Sequence, residues 1–317
     1  MHGSNGLRPS VEVMQIRILG SAAGGGFPQW NCNCSGCQAT RKNERGVHQR
    51  TQSSLAVRGS LGDWFLVNAS PDVRQQLERL RDRSPTSIRS SPIAGVLLSD
   101  AEIDHTAGLT ILRESDEPLQ IYGTDTVRQA LTEGFSLLRV LKNYCGVEWS
   151  VIEPSSVVNI ATDEESSLEI EAFSLPGTPP KYMRSSSVIE GDWVIGFTFR
   201  DRLSGGVATY APALAEFAPS IIDRFELSDC ILVDGTFWQD DELVKLGMST
   251  RTALTMGHLP LSGESGSLNR LSQLSPSRKI FTHINNTNPI LIGNSPERQL
   301  VEAAGMEVGY DGLTIEL

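Results

Sequence analysis

Three short apolar runs in this chain each lead into an acidic or histidine residue, and this pattern constrains the fold more than any other feature. The runs and the residues that follow them are 95–98 with Asp100, 231–233 with Asp234, and 279–282 with His283. Apolar runs of this length are typical of buried strands. Open α/β sheets build their functional sites where strands end, so the pattern favours an α/β fold with polar groups at the strand ends.

Strand-like runs alternate with helical stretches along the whole chain, without a repeat or a low-complexity linker. This alternation predicts one layered α/β domain, with two sheets covered by helices, over residues 14–317. Residues 1–13 are polar and aperiodic, and we expect a disordered extension there, with Met14 as a candidate start. Further predicted strands cover 15–19, 54–58 and 64–68, and predicted helices cover 71–81, 124–133, 270–274 and 296–304.

Composition excludes several classes of partner. The chain has 317 residues and a formal net charge of −11, which argues against nucleic-acid binding because that affinity comes mostly from lysine and arginine. It contains no apolar stretch of about 18 residues and no signal-like N-terminus, so we expect a cytoplasmic protein without a membrane span.

Three of the five cysteines lie within six residues, as Cys32, Cys34 and Cys37. A C-x-C-x-x-C arrangement brings three thiolates to one point, and soft sulfur ligands favour tetrahedral zinc. We expect a structural Zn²⁺ whose fourth ligand is His48 or comes from residues 285–286. The alternatives are buried thiols without a metal and an iron–sulfur cluster.

A second group of candidate ligands follows the run at 95–98. Its members are Asp100, Glu102, Asp104 and His105, and they suit a hard or borderline divalent metal. The alternative is the solvated N-terminus of a helix, where acidic side chains complement the dipole. His258 and His283 follow other apolar or glycine-marked segments, although a lone histidine is more often a packing residue.

The order of these groups resembles that of the metallo-β-lactamase superfamily. Its first motif is His-x-His-x-Asp-His, and Asp100 and Glu102 stand here at the two leading histidine positions. A further metal histidine expected near residues 173–180 is absent from the sequence. The resemblance therefore implies that one metal position is lost and one is kept. The residues kept for it are Asp104, His105, Asp234 and His283.

Longer segments resemble the pyrroloquinoline quinone (PQQ) biosynthesis protein B family over nearly the whole chain from Met14. They cover residues 14–34, 68–72, 100–105, 256–260 and 283–289. This resemblance implies an α/β (α+β) fold, the metallo-β-lactamase αββα sandwich of two mixed β-sheets flanked by helices. It also implies a cysteine-bound structural zinc.

The same resemblance implies a non-haem Fe(II) enzyme that uses O₂ to hydroxylate the tyrosine ring of a Glu-Tyr unit cut from a small precursor peptide. Other PQQ biosynthesis proteins are candidate partners. The alternatives are a carrier of finished PQQ, involved in its transport, and a metal-dependent hydrolase.

The resemblance implies roles for single residues as well. Asp104, His105 and His283 would hold the iron, with Asp234 or Glu102 as a further ligand. Glu102 and His258 would be the catalytic residues that move protons or hold the substrate phenol. Arg200 and Arg202 are candidates for pairing with the substrate carboxylates.

Overall fold

The structure, a computed structural model, describes residues 13–81, 88–158, 166–183 and 190–317. The expected N-terminal extension therefore lies almost entirely outside the described residues. Two mixed sheets form the frame of these ranges. The first has the strand order β13-β1-β2-β3-β4-β5-β6, in which the strands are β1 (Gln15–Gly20), β2 (Ser54–Arg58), β3 (Trp64–Val67), β4 (Ile93–Leu97), β5 (Leu119–Gly123), β6 (Val147–Val151) and β13 (Thr314–Glu316).

The second sheet has the order β12-β11-β10-β9-β8-β7. Its strands are β7 (Leu168–Leu175), β8 (Val194–Asp201), β9 (Val207–Ala211), β10 (Cys230–Asp234), β11 (Arg278–Thr282) and β12 (Glu307–Val308). Each sheet joins an antiparallel half to a parallel half: β1 to β3 and β7 to β9 pair antiparallel, whereas β3 to β6 and β9 to β12 pair parallel.

Short helices lie along the connections. They are α1 (Ser35–Arg41), α2 (Val73–Leu77), α3 (Ile103–Thr106), α4 (Leu109–Leu112), α5 (Asp125–Gln129), α6 (Leu137–Leu141), α7 (Pro219–Glu226), α8 (Glu242–Lys245), α9 (Ser267–Ser272) and α10 (Pro296–Ala303). Single 3₁₀ turns occur at Glu78–Leu80, Lys181–Met183, Leu254–Met256 and Pro289–Leu291, and a π turn at Ala130–Gly134. None of the helices in the described ranges has the length and apolar run needed to cross a bilayer.

The core has two layers because strand residues alternate between the two faces of a sheet. In β3, Phe65 and Val67 face the other sheet, and Leu66 faces the helices. The layer between the sheets takes fully buried residues from both of them, among them Ile16, Leu97, Phe199, Leu232 and Ile280. This arrangement confirms the predicted αββα sandwich.

Most predicted strands and helices are confirmed to within one to three residues, but the helix predicted over 71–81 is wrong in its start. Pro71 lies in a turn, α2 begins at Val73, and a 3₁₀ turn follows it. The Ser70 hydroxyl donates to Gln76 Oε1 at 2.9 Å and accepts from the N–H of Asp72 at 3.2 Å, before the helix begins. The helix predicted over 124–133 changes to a π turn after Gln129.

Candidate metal centre

The strand ends bring the predicted site residues together. Strands β10 and β11 are parallel neighbours in which Asp234 pairs with Thr282, so Asp234 and His283 lie side by side at the carboxyl edge. Strand β4 of the other sheet leads into α3, which carries Asp104 and His105. Because the sheets pack face to face, these two edges meet.

The first ligand group consists of Asp104, His105 and His283, and one potential ligand atom from each lies within 4.8 Å of the others. Asp104 Oδ2 is 3.9 Å from His105 Nε2 and 3.7 Å from His283 Nε2. His105 Nε2 is buried and has no hydrogen-bond partner among the described residues. A buried ring nitrogen without a partner is costly, and a metal ion at this point would satisfy it. The three residues therefore fit a metal ion.

The other ring nitrogen of each imidazole is held from behind. His105 Nδ1 lies 2.7 and 2.9 Å from the two oxygens of Asp100, and His283 Nδ1 lies 2.9 Å from Thr236 Oγ1. Asp100 is fixed in turn by the hydroxyl of Ser99 at 2.7 Å. With Nδ1 as the donor in both rings, both Nε2 lone pairs face Asp104. Support of this kind is usual behind metal-binding histidines.

Charge in this group also favours a cation. Burial works against the charged form of Asp104, but the imidazoles of His105 and His283 hold the pKa of this carboxyl well below its usual range. Burial likewise opposes protonation of His105, but Asp100 and Asp104 raise the pKa of His105 to about 9. A metal cation bound between these residues would replace the proton of His105.

A second group lies beside the first and shares His283 with it. Its members are Asp234, His258 and His283, with potential ligand atoms within 4.8 Å. Asp234 Oδ2 is 2.6 Å from His258 Nδ1, and Asp234 Oδ1 accepts a 2.5 Å hydrogen bond from the Thr236 hydroxyl. The rings of His258 and His283 stack with 5.6 Å between their centroids.

The carboxylate of Asp234 is held by several hydrogen bonds. Its carboxylate also accepts the N–H groups of Leu214 and Thr236, at 3.0 and 2.9 Å. Burial works against its charge, but His258 holds the pKa of Asp234 below its usual range, and Asp234 in turn raises the pKa of His258 despite the burial of that ring. Asp234 therefore contacts His258 and Thr236, and through Thr236 it supports His283; its role as a metal ligand stays a prediction.

Both groups open into a cavity of about 600 Å³. The predicted catalytic residues Glu102 and His258 line it, Glu102 at its exposed rim. Pro176, Trp193, Val194 and Met256 form apolar parts of the wall. This volume lies within the range of cavities that bind small molecules.

The expectation for Arg200 and Arg202 is wrong. Neither lines the cavity, and the Arg202 guanidinium donates to the Ser166 carbonyl. Val194 at the start of β8 reaches the cavity wall, and Arg200 is six residues further along, about 20 Å away at 3.3 Å per strand residue.

The cavity instead contains Lys181 and Arg251. No spacing or motif in the sequence distinguishes these two residues from the other cations of the chain. Only the tertiary structure places them in the wall of the cavity that Asp104, His105 and His283 also line.

Cys32, Cys34 and Cys37 also come together, with their sulfur atoms within 4.8 Å of one another. Helix α1 begins directly after Cys34, so its first turn brings Cys37 back towards the other two. Burial raises the pKa of the Cys34 thiol to about 12, so a free thiol there is protonated until a metal takes its place.

Of the two candidates for the fourth position, Asn286 lies beside the cysteines. Its side-chain amide is 3.4 Å from Cys37 Sγ, and its carbonyl oxygen is 3.4 Å from Cys34 Sγ. His48 is exposed, and within the described ranges no histidine or carboxylate joins the three sulfurs.

A glycine-rich loop, residues 20–26, lies between the cysteines and the group of Asp104, His105 and His283. The N–H of Ala23 donates to the carbonyl of Ile284, and the N–H of Ile284 donates to Ser21, both at 2.9 Å. A Cβ added at Gly24 would lie 3.0 Å from Asp104 Oδ2. The loop therefore packs against both the Asp104 carboxylate and the residue after His283, and a side chain at Gly24 would require the Asp104 carboxylate to shift by a few tenths of an ångström.

Comparison with known proteins gives consistent relatives. The family model of the beta-lactamase superfamily domain matches residues 63–284, a range that contains every residue of both histidine groups. Coenzyme PQQ synthesis protein B of Azoarcus sp. (strain BH72) is 44% identical over 307 residues, covering 96% of this chain and 100% of the relative. The protein of the same name from Methylococcus capsulatus is 44% identical over 306 residues, with the same coverage.

Solved structures agree with these relatives. Zinc-bound PqqB from Methylobacterium extorquens superposes with a TM-score of 0.85 at 36% identity, covering 96% of this chain and 100% of that one. A diphosphatase of the PhnP family superposes with a TM-score of 0.66 at 17% identity, covering 96% and 97% of the two chains. At that identity the likeness is one of fold alone.

Proposed function

The chain belongs to the beta-lactamase superfamily and, within it, to the coenzyme PQQ synthesis protein B family, and we propose that it serves PQQ biosynthesis as an iron-dependent hydroxylase. Its substrate is the tyrosine ring of a Glu-Tyr unit derived from a precursor peptide. One atom of O₂ enters the ring, the other leaves as water, and a reductant supplies two electrons.

One observation carries this proposal: two histidines and one carboxylate converge at the wall of a cavity. His105 and His283 direct Nε2 towards Asp104, and the buried Nε2 of His105 has no partner among the described residues. Asp104, His105 and His283 would hold the Fe(II), which would supply the activation of O₂ for attack on an aromatic ring. Asp100 and Thr236 fix the two imidazoles in the orientation that this set needs.

His258 is the residue we assign to proton transfer. Its Nδ1 is held by Asp234 at 2.6 Å, which leaves Nε2 as the nitrogen that exchanges a proton with the substrate phenol. Glu102 at the cavity rim is the second proton carrier, or it holds the phenol. The apolar wall at Trp193 and Val194 packs against the ring and excludes water from it.

The hydrolase alternative is weaker because of Asp100. In a two-metal hydrolase the corresponding position binds the first metal, but both oxygens of Asp100 lie against His105 Nδ1 here. Asp100 thus supports a ligand of the retained metal position. We assign the cysteines a different task, a structural Zn²⁺ held by Cys32, Cys34 and Cys37 beside Asn286.

Loading the protein with Fe(II) under anaerobic conditions tests the proposal. Addition of Glu-Tyr, ascorbate and O₂ should give oxygen uptake and a catechol product about 16 mass units heavier, with zinc-loaded protein as the inactive control. Iron-loaded protein that takes up no oxygen would refute the hydroxylase. Tight PQQ binding in that case would support the carrier, and cleavage of a phosphodiester by the zinc form would support the hydrolase.

A further inference from the structure

We propose that Arg251 and Lys181 recognise the carboxylates of the substrate, one carboxylate each, and so select a dicarboxylate peptide. This inference rests on the proposed function and names the side chains that hold the ligand of that same site. Both residues line the cavity into which Asp104, His105 and His283 open. The two residues come from separate segments of the chain, so together they contact a ligand at two points.

Arg251 is held in place without being neutralised. Its guanidinium Nη2 donates to the carbonyl of Thr255 at 2.5 Å. Its backbone N–H donates to the Ser249 hydroxyl at 3.0 Å. No carboxylate among the described residues forms an ion pair with it. The guanidinium has five donors, so one bond to Thr255 leaves enough of them for a bidentate contact with a carboxylate.

The segment that holds Arg251 also positions the proposed proton carrier. The N–H of His258 donates to the carbonyl of Ala253 at 3.0 Å, and that of Ala253 donates to Asp240 at 2.8 Å. A carboxylate bound at Arg251 is thereby placed at a fixed distance from His258. This is the geometry that presents the rest of the ligand to the metal group.

Lys181 stands in a 3₁₀ turn, Lys181–Met183, that is fixed to the cavity wall. The hydroxyl of Tyr182 donates to the carbonyl of Ala101 at 2.6 Å, and Met183 is buried. The ammonium of Lys181 is exposed, lines the cavity and has no carboxylate partner in the described part of the chain. An exposed ammonium of this kind attracts an anion at the cavity mouth.

The excess of acidic residues in the chain makes it notable that Arg251 and Lys181 have no carboxylate partner among the described residues. The protein has 38 acidic and 27 basic residues, so a cation has many potential partners. Asp100, Asp104 and Glu102 lie on the same cavity, yet the first two are turned to the histidines. Two cations that face a cavity, with no carboxylate partner in the described ranges, indicate a ligand that brings its own negative charges. Glu-Tyr with a free C-terminus carries two carboxylates.

Calorimetry on the zinc-loaded full-length protein tests this without turnover. The ligands are Glu-Tyr, Gln-Tyr and Glu-Tyr amide, of which the last two each lack one carboxylate. Because charge-assisted hydrogen bonds are the strong ones, Arg251→Gln and Lys181→Gln should each weaken Glu-Tyr binding about 10- to 100-fold. One of the two shortened ligands lacks the carboxylate that the replaced cation would bind. Each variant should bind that ligand with almost the same affinity as the wild type does.

Two variants control for charge alone. Arg200→Gln and Lys142→Gln remove one positive charge each from exposed positions away from the cavity, and they should bind Glu-Tyr within twofold of the wild type. In iron-loaded protein, Arg251→Gln should raise KM for Glu-Tyr by a larger factor than it lowers kcat.

Two results would overturn the inference. One is that Arg251→Gln and Lys181→Gln bind Glu-Tyr as the wild type does; the other is that they weaken all three ligands equally. Its failure is distinguishable from failure of the proposed function. The binding pattern with no oxygen uptake by the iron form refutes only the hydroxylase, whereas oxygen uptake with unaffected binding in both variants refutes only the carboxylate assignment.

Discussion

Replacement of Asp100 by asparagine tests whether Asp100 supports His105 as a metal ligand without binding the metal itself. Asp100 is buried, and its two oxygens lie 2.7 and 2.9 Å from His105 Nδ1. It also accepts from the Ser99 hydroxyl at 2.7 Å and from the N–H of Glu102 at 2.9 Å. Asparagine has the same shape and keeps one oxygen acceptor. The change therefore removes the charge behind His105 while leaving the packing in place.

The expected loss is set by the position of Asp100 one bond behind the metal ligand. Loss of such an outer partner costs about 10- to 100-fold in metal affinity, which is about 1.4 to 2.7 kcal/mol. The retained oxygen of asparagine still holds the Nδ1 proton, so we expect a value near the lower end. Asp100→Ala leaves His105 Nδ1 without any partner and should lie at or beyond the upper end.

Competition with a chelator under anaerobic conditions measures both affinities, for Fe(II) and for Zn²⁺. Asp116→Asn, at an exposed position paired with Arg89, is the matched control and should bind metal as the wild type does. If Asp100→Asn keeps the wild-type metal affinity, Asp100 does not support a metal ligand, and the inference of a metal at His105 fails. A fall in melting temperature without a change in metal affinity would refute it equally.

Three further substitutions have distinct outcomes. His283→Ala should abolish Fe(II) binding, measured by elemental analysis, while circular dichroism shows nearly unchanged folding; global unfolding would contradict a purely catalytic role. Cys34→Ser should release zinc and lower the melting temperature, since a structural metal contributes folding energy, and an unchanged melting temperature would count against the zinc site. Burial opposes the charge of Asp201, but hydrogen bonds from Ser167, Ser60 and Ser204 lower the pKa of Asp201 to about 2, from 3.8. The lowered pKa stabilises the fold by about 2 kcal/mol above pH 5. Asp201→Asn should therefore have a lower free energy of unfolding in urea than the wild type at pH 7, and this difference should vanish as the pH falls below 2. A difference that stays constant with pH would refute the prediction.

The sequence predicts the frame well because the strands are short apolar runs with polar ends. It also predicts which residues converge: Asp104, His105 and His283 follow strands that the topology brings to one edge. What the sequence does not carry is side-chain direction. Asp100 stands at a ligand position of the superfamily motif, and only the structure places both its oxygens against His105 Nδ1 rather than towards the metal group.

The arginines illustrate the same limit on a larger scale. Arg200 and Arg202 are candidates for a substrate role only because two glycines follow them, and β8 carries Arg200 to the end of the strand away from the cavity. Arg251 lies in a connection without regular spacing. Its position depends on one hydrogen bond to Thr255 and on the packing of its segment under His258, which no local pattern encodes.

Cys34 lies 252 residues before Asn286 in the sequence, yet the cysteine group and the group of Asp104, His105 and His283 meet at one short segment of backbone. Asn286, which contacts Cys34 and Cys37, is three residues from His283, whose backbone has a positive φ of 53°. For a residue with a Cβ this conformation is costly and persists only where the surroundings impose it. The hydrogen bonds of Ile284 to the glycine-rich loop and the contacts of Asn286 with the cysteines supply that constraint on the C-terminal side of His283. We therefore expect a zinc ion bound at the cysteines to help to keep His283 Nε2 directed at Asp104, and zinc-depleted protein to bind Fe(II) more weakly even where its sheets stay folded.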